Sequence, residues 1–144
     1  MAWRHRLIGW IAAAMLAPAA ALAQPEDAAD PSLNIDLNRL EQIDANCRTY
    51  FVFVNETDIR FVRLRLDLFI FGGDGIVSSR VAVSQSEVGP GRTRVGLFDI
   101  PALECATIGR FLLNDVSCET EMGARSDCIA LITVSSRTTA EFLN

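Results

Sequence analysis

The sequence predicts an all-β fold, an antiparallel immunoglobulin-like β-sandwich of six or seven strands held by two disulfides. Three observations predict it. Apolar residues from Ser32 onward recur mostly with a period of two, turn residues separate the runs at short intervals, and an even set of four cysteines follows an export-type leader.

The leader comes first. Arg4-His5-Arg6 is followed by an apolar run from Leu7 to Leu16 and closes on Ala21-Leu22-Ala23. This is the layout of a secretory signal peptide (1–23) with cleavage expected after Ala23. The run is shorter than the about 20 residues a membrane anchor needs and is interrupted by Pro18, so no stable membrane insertion is expected after cleavage. Arg4 and Arg6 are not adjacent, so the twin-arginine signal is missing, and no cysteine near the cleavage site suggests a lipid anchor. The bacterial character of the leader predicts a periplasmic destination. A eukaryotic secreted protein is the alternative, and Asn55-Glu56-Thr57 would then be a glycosylation acceptor. Residues 24–31 (QPEDAADP) read as a flexible acidic leader, and 32–144 as the β-sandwich domain.

Cleavage removes the only histidine, His5, and both tryptophans, Trp3 and Trp10. The formal net charge of −5 becomes −7 with the loss of Arg4 and Arg6, which argues against nucleic acid as a partner. Every basic residue is arginine. Without histidine or lysine there is no base for a Ser–His–Asp or Ser–Lys nucleophile, so no catalytic residues are assigned.

The elements follow in order. Leu33, Ile35 and Leu37 alternate with polar residues in a first strand, although Leu37 to Ile43 could also form a helical turn. Cys47 to Val54 is a second strand rich in aromatic and β-branched residues. In the third, Val62, Leu64, Leu66, Leu68 and Ile70 are expected to face the core, with Arg63, Arg65 and Asp67 in water. Phe69 and Phe71 share that wet parity, either covered by a loop or exposed as an apolar spot. Gly72-Gly73-Asp74-Gly75 closes a hairpin. A turn centred on Gly73-Asp74 sets Leu66 against Val81, and one centred on Asp74-Gly75 shifts the partners by two. An ion pair between Asp67 and Arg80 is expected across the hairpin. Residues 84–91 read as a loop. Arg92 to Ile100 forms a strand with Val95 and Leu97 on one face and Arg92 and Arg94 on the other. Ile108 to Val116 and Ile129 to Ser135 supply two more.

Four cysteines allow three pairings. Cys118 and Cys128 bracket a short polar loop, which favours Cys118–Cys128 and leaves Cys47–Cys105. The competing four-thiolate zinc site lacks any C-x2-C pair. No metal or cofactor is assigned, and the glycine-rich turn lacks the ligand pattern of a calcium loop.

Arg63, Arg65, Arg80, Arg92 and Arg94 are the candidate binding residues. If their strands are neighbours, five guanidiniums form one patch for an acidic partner segment or an anionic headgroup. The plain alternative is a solvated face partly neutralised by Asp67 and Glu87. Asp36, Asp67, Asp99 and Asp115 leave a carboxylate-only hydrolase as a competing reading. A carrier of a lipid or apolar ligand is the third.

The runs from Leu33 to Glu41, Cys47 to Phe51, Leu66 to Phe71, Leu97 to Ile100 and Cys105 to Val116, with Ser135-Ser136-Arg137, resemble a family of small exported alphaproteobacterial proteins of unknown function, labelled hypothetical or "Tat pathway signal". The resemblance spans the mature domain and implies export without catalytic residues. Some relatives are encoded near envelope machinery of the TonB energy-transducing type, a genomic association and not a mechanism. The resulting expectation is a non-catalytic periplasmic binding or accessory module with an envelope protein partner.

Overall fold

The computed structural model describes Asp30 and residues 32–144, so the expected signal peptide and most of the acidic leader lie outside the described residues. Nine strands form two sheets: β1 (Leu33–Ile43), β2 (Asn46–Asn55), β3 (Phe61–Gly72), β4 (Val77–Val88), β5 (Thr93–Ile100), β6 (Ile108–Thr120), β7 (Gly123–Arg125), β8 (Ile132–Ser136) and β9 (Glu141–Leu143). Sheet A runs β5-β2-β1-β8, and sheet B runs β4-β3-β6-β7 with β9 also on β6. Two pairings are parallel, β1 with β8 and β6 with β9, where antiparallel strands were expected throughout.

The sheets pack face to face as their alternation dictates. Leu33, Ile35, Leu37, Phe51 and Phe53 of sheet A meet Leu64, Leu66, Leu68, Ile70 and Phe111 of sheet B, and all are buried. Phe51 is the centre of the contact, with its ring 6.2 Å from Phe111, 5.5 Å from Phe142 and 6.0 Å from Phe98. These tilted and edge-on pairs join four strands from both layers.

The hairpin takes the second of the two expected registers. Leu66 pairs with Val83 and Leu68 with Val81, and a bulge near Phe71 accommodates the turn. Gly75 supplies the turn's positive φ of 80°, and Asp74 accepts the Ile76 N–H at 2.9 Å. Arg80 lies opposite Phe69, so its ion pair with Asp67 is diagonal rather than direct.

Four local expectations are corrected. Val62 is exposed, because a bulge between Phe61 and Arg63 sends Phe61 inward instead. Residues 84–88 belong to β4 and not to a loop, with buried Gln85 taking an inward place that reads as polar in the sequence. Val95 and Leu97 face outward, whereas Gly96, Phe98 and Ile100 face the core. Leu37 to Ile43 continues β1 past a bulge and forms no helix.

Both expected disulfides are present. Cys47–Cys105 ties β2 to the turn before β6 with Cα atoms 5.0 Å apart, and Cys118–Cys128 closes the loop carrying β7 at 6.0 Å. All four sulfurs are thereby bonded in two pairs, which leaves no thiolate for zinc. Asn55 is buried, and its amide donates to the carbonyls of Ile59 (2.8 Å) and Val88 (3.0 Å). Its carbonyl accepts the Thr57 N–H and hydroxyl. The tripeptide at 55–57 is therefore a structural turn in which the Asn55 amide is fully engaged.

Gly109 is required by a close approach of backbones. A Cβ there would lie 2.8 Å from the Gly72 carbonyl oxygen and 2.9 Å from Gly73 Cα. Neither atom belongs to a side chain that can turn away. Gly109→Ala is expected to cost about 1–3 kcal/mol by overpacking, read as a lower urea midpoint. An unchanged midpoint would mean that the end of β6 stands further from the hairpin.

Candidate functional site

The topology divides the five candidate arginines. Arg63 and Arg65 project from β3 and Arg80 from β4, on the outer face of sheet B. Arg92 lies just before β5 and Arg94 within it, and β5 belongs to sheet A. They border a separate groove with Arg60, Glu87 and Pro90 at the end of the sandwich. The expected single patch is a cluster of three and a pair.

The outer face of sheet B is ordered in rows by strand register. Ala82, Asp67 and Asp115 form one row across β4, β3 and β6, Ser84, Arg65 and Ser117 the next, and Ser86, Arg63 and Glu119 the third. Arg80 grips Asp67 with two hydrogen bonds, Nε to Oδ1 at 2.9 Å and the terminal nitrogen to Oδ2 at 2.8 Å. Its guanidinium also lies 5.3 Å from the ring centre of half-buried Phe69. Asn114 adds a third donor to Asp67 at 3.1 Å. The Arg80 hydrogen bonds hold the Asp67 carboxyl below its ordinary range, against an opposing push from burial. Arg63 lies 3.6 Å from Glu119.

A wall rises beside these rows. Ala124, Arg125 and Ser126 of the loop closed by Cys118–Cys128 face Arg63, Arg65, Ser84 and Ser117 across a groove of about 750 Å³. Asp127 fixes Arg125 through two hydrogen bonds of 2.9 and 2.6 Å, and that contact holds the Asp127 carboxyl low. The disulfide therefore sets the position of one side of the groove.

Sheet A presents a different outer face. Asn34, Asp36, Thr133 and Ser135 make its β1–β8 half polar. Its β5 half carries Val95 and Leu97, 55% and 50% exposed, opposite Val52 and Tyr50. Arg48 of β2 grips Asp99 of β5 at 2.7 and 2.9 Å and bounds this apolar strip at one end. The other flank of β5 pairs with no strand among the described residues. Sequence parity assigned Val95 and Leu97 to the core and so missed this edge. The small Gly96 between them was the available signal, since a strand face of Val and Leu normally alternates with polar residues.

Comparison with known proteins bears on the fold. No family model matches the chain, and no curated protein does. The structure is similar to that of IrmA from Escherichia coli, with a TM-score of 0.62 and 14% sequence identity. The match covers 72% of this chain and 91% of IrmA. At that identity the likeness shows a shared sandwich architecture and leaves function to the chain's own surface.

Three further observations describe the remaining candidates. Among the described residues no group of three or more His, Cys, Asp or Glu is placed to hold a metal ion. The four candidate carboxylates divide between the sheets, with Asp36 and Asp99 on sheet A and Asp67 opposed to Asp115 in register on sheet B. No helix among the described residues is long and apolar enough to cross a membrane.

Proposed function

We propose that this chain is an exported, non-catalytic binding or accessory module that docks a protein partner in the bacterial periplasm, as part of an envelope complex. The carrying observation is the β5 edge. It pairs an open flank of backbone donors and acceptors with a strip of exposed Val95 and Leu97, a combination that suits addition of an extended partner strand. The arginine rows of sheet B offer a second docking surface. Two formed disulfides fit an oxidising compartment, and the signal-like leader fits export to it.

The carboxylate-only hydrolase draws some support from the direct opposition of Asp67 and Asp115. Such an enzyme needs one carboxyl held protonated near neutral pH. Arg80 and Asn114 push Asp67 the other way, so Asp67 is not that acid. A carrier of an apolar ligand needs an enclosed cavity, whereas Phe51, Phe111 and Phe142 pack ring against ring between the sheets.

A photo-crosslinking residue at position 97, expressed in the native host, tests the proposal. The expected result is one discrete adduct with an envelope protein, lost when Val95 is replaced by Lys. Absence of an adduct at 97, or an adduct indifferent to Val95→Lys, would overturn docking at this edge.

A further inference from the structure

Along the outward face of β3, Arg63 is matched by Glu119 and Asp67 by Arg80. Arg65, between them, has no ion-pair partner among the described residues. It stands in register with Ser84 on one side and Ser117 on the other, both exposed. Neither hydroxyl has a hydrogen-bond partner among the described residues. Adjacent strands lie about 4.8 Å apart, so the two serines flank the Arg65 backbone position at near-equal distance, and all three line the same groove. A guanidinium offers a planar fork of N–H donors that matches the two oxygens of a carboxylate.

The lining of the groove narrows the ligand class. Arg63 is paired with Glu119 and Arg125 with Asp127, so Arg65 is the one guanidinium of the lining without an ion-pair partner among the described residues. One unpaired guanidinium suits one carboxylate, whereas a phosphate monoester would bring close to two negative charges toward the fixed Asp115 and Glu119. Asp115 and Glu119 are acceptors for N–H groups arriving with the ligand. Among the described residues no aromatic ring lines the groove, so a sugar ring finds no stacking surface there.

We propose that this groove binds a single Glu or Asp side chain on an extended segment of a protein partner. Arg65 takes the carboxylate through its fork, Ser84 and Ser117 donate to it from either side, and Asp115 and Glu119 accept backbone N–H groups of the segment. The assignment rests on the docking-module reading and adds the chemistry of one contact.

The test is a chemical-shift titration of the isotopically labelled protein with acetyl-Gly-Glu-Gly-amide. Saturable shifts centred on Arg65, Ser84 and Ser117 are expected, with the glutamine counterpart binding at least about tenfold more weakly. Arg65→Gln should weaken binding about tenfold or more and Arg65→Lys several-fold, both with well-dispersed spectra that report an intact fold. Arg92→Gln, on the other sheet, should leave it unchanged. Equal binding of the glutamine peptide, or unchanged affinity in Arg65→Gln or Arg65→Lys, would overturn the carboxylate fork. Tighter binding of inorganic phosphate or glucuronate would overturn the peptide assignment in favour of a phosphate or an acidic saccharide. Failure here with an intact crosslink at position 97 removes only the groove, and the opposite pattern removes only docking at β5.

Discussion

Replacing Leu66 with Asp should lower the stability of the domain by about 4 kcal/mol or more. Leu66 is fully buried at the centre of β3, in register with Val83 on β4 and Val116 on β6. Loss of its packing alone costs about 3–5 kcal/mol, judged from leucine truncations in other cores. A carboxylate placed there adds a desolvation penalty with no arginine on that face to offset it. Domains of this size have a total stability of about 5–15 kcal/mol, so the variant should be largely or wholly unfolded. A urea titration reads the effect as a collapse of the midpoint. Val95→Asp is the matched control, because it also sets an acid where the alternation allows a core residue. Val95 is 55% exposed, so its variant should shift stability by less than about 1 kcal/mol. Equal losses in the two would mean that β5 presents its other face to the core.

The second large effect is expected from Cys47→Ala combined with Cys105→Ala. The bridge they form spans 58 residues and restrains the unfolded chain across three whole strands. The chain-entropy model assigns such a loop about 4 kcal/mol, against about 3 kcal/mol for the ten-residue span of Cys118–Cys128. Cys47 is also fully buried, so its sulfur leaves a small void. The double variant should melt about 15 °C lower or more, at about 4 °C per kcal/mol for a domain of this length. Calorimetry of both paired variants checks the order. If removing the short-loop bridge costs more than removing the long one, packing of the β7 loop outweighs the entropy of chain closure.

The parts of the fold legible in the sequence were those where alternation is chemically lopsided. In β3, leucines stand against arginines and aspartate, so the pattern names both the strand and its buried face. Both disulfides were legible for a related reason, since one short polar loop made one pairing far easier to close. In β5 the same logic failed. Val95 and Leu97 alternate with Gly96 and Phe98, both sets are apolar or neutral, and a period of two cannot say which set faces inward. The three-residue strands β7 and β9 are too short to show any period, and tertiary pairing with β6 alone creates them. The candidate site was half legible. Arg63, Arg65 and Arg80 were named from parity, and the chain's switch to the other sheet between β4 and β5 carried Arg92 and Arg94 away. Arg125 and Ser126 went unnoticed because they sit in a loop that only a folded disulfide lays beside β3.

The parallel pairing of β1 with β8 has a temporal consequence. Leu33 meets Ile132 and Leu37 meets Ser136, so the first strand of the domain lies against one of the last. A chain made from its N-terminus can form the β1–β2 hairpin early, but the other side of β1 stays bare until almost every residue has emerged. Closing that contact means searching over about a hundred residues, a non-local step of the kind that slows β-proteins to milliseconds or seconds. During that interval an alternating Leu-Ile-Leu strand offers a vacant flank to any neighbouring chain. Delivery of the polypeptide in an extended state, held apart from its copies until the C-terminus is free, is the regime in which such a topology assembles cleanly.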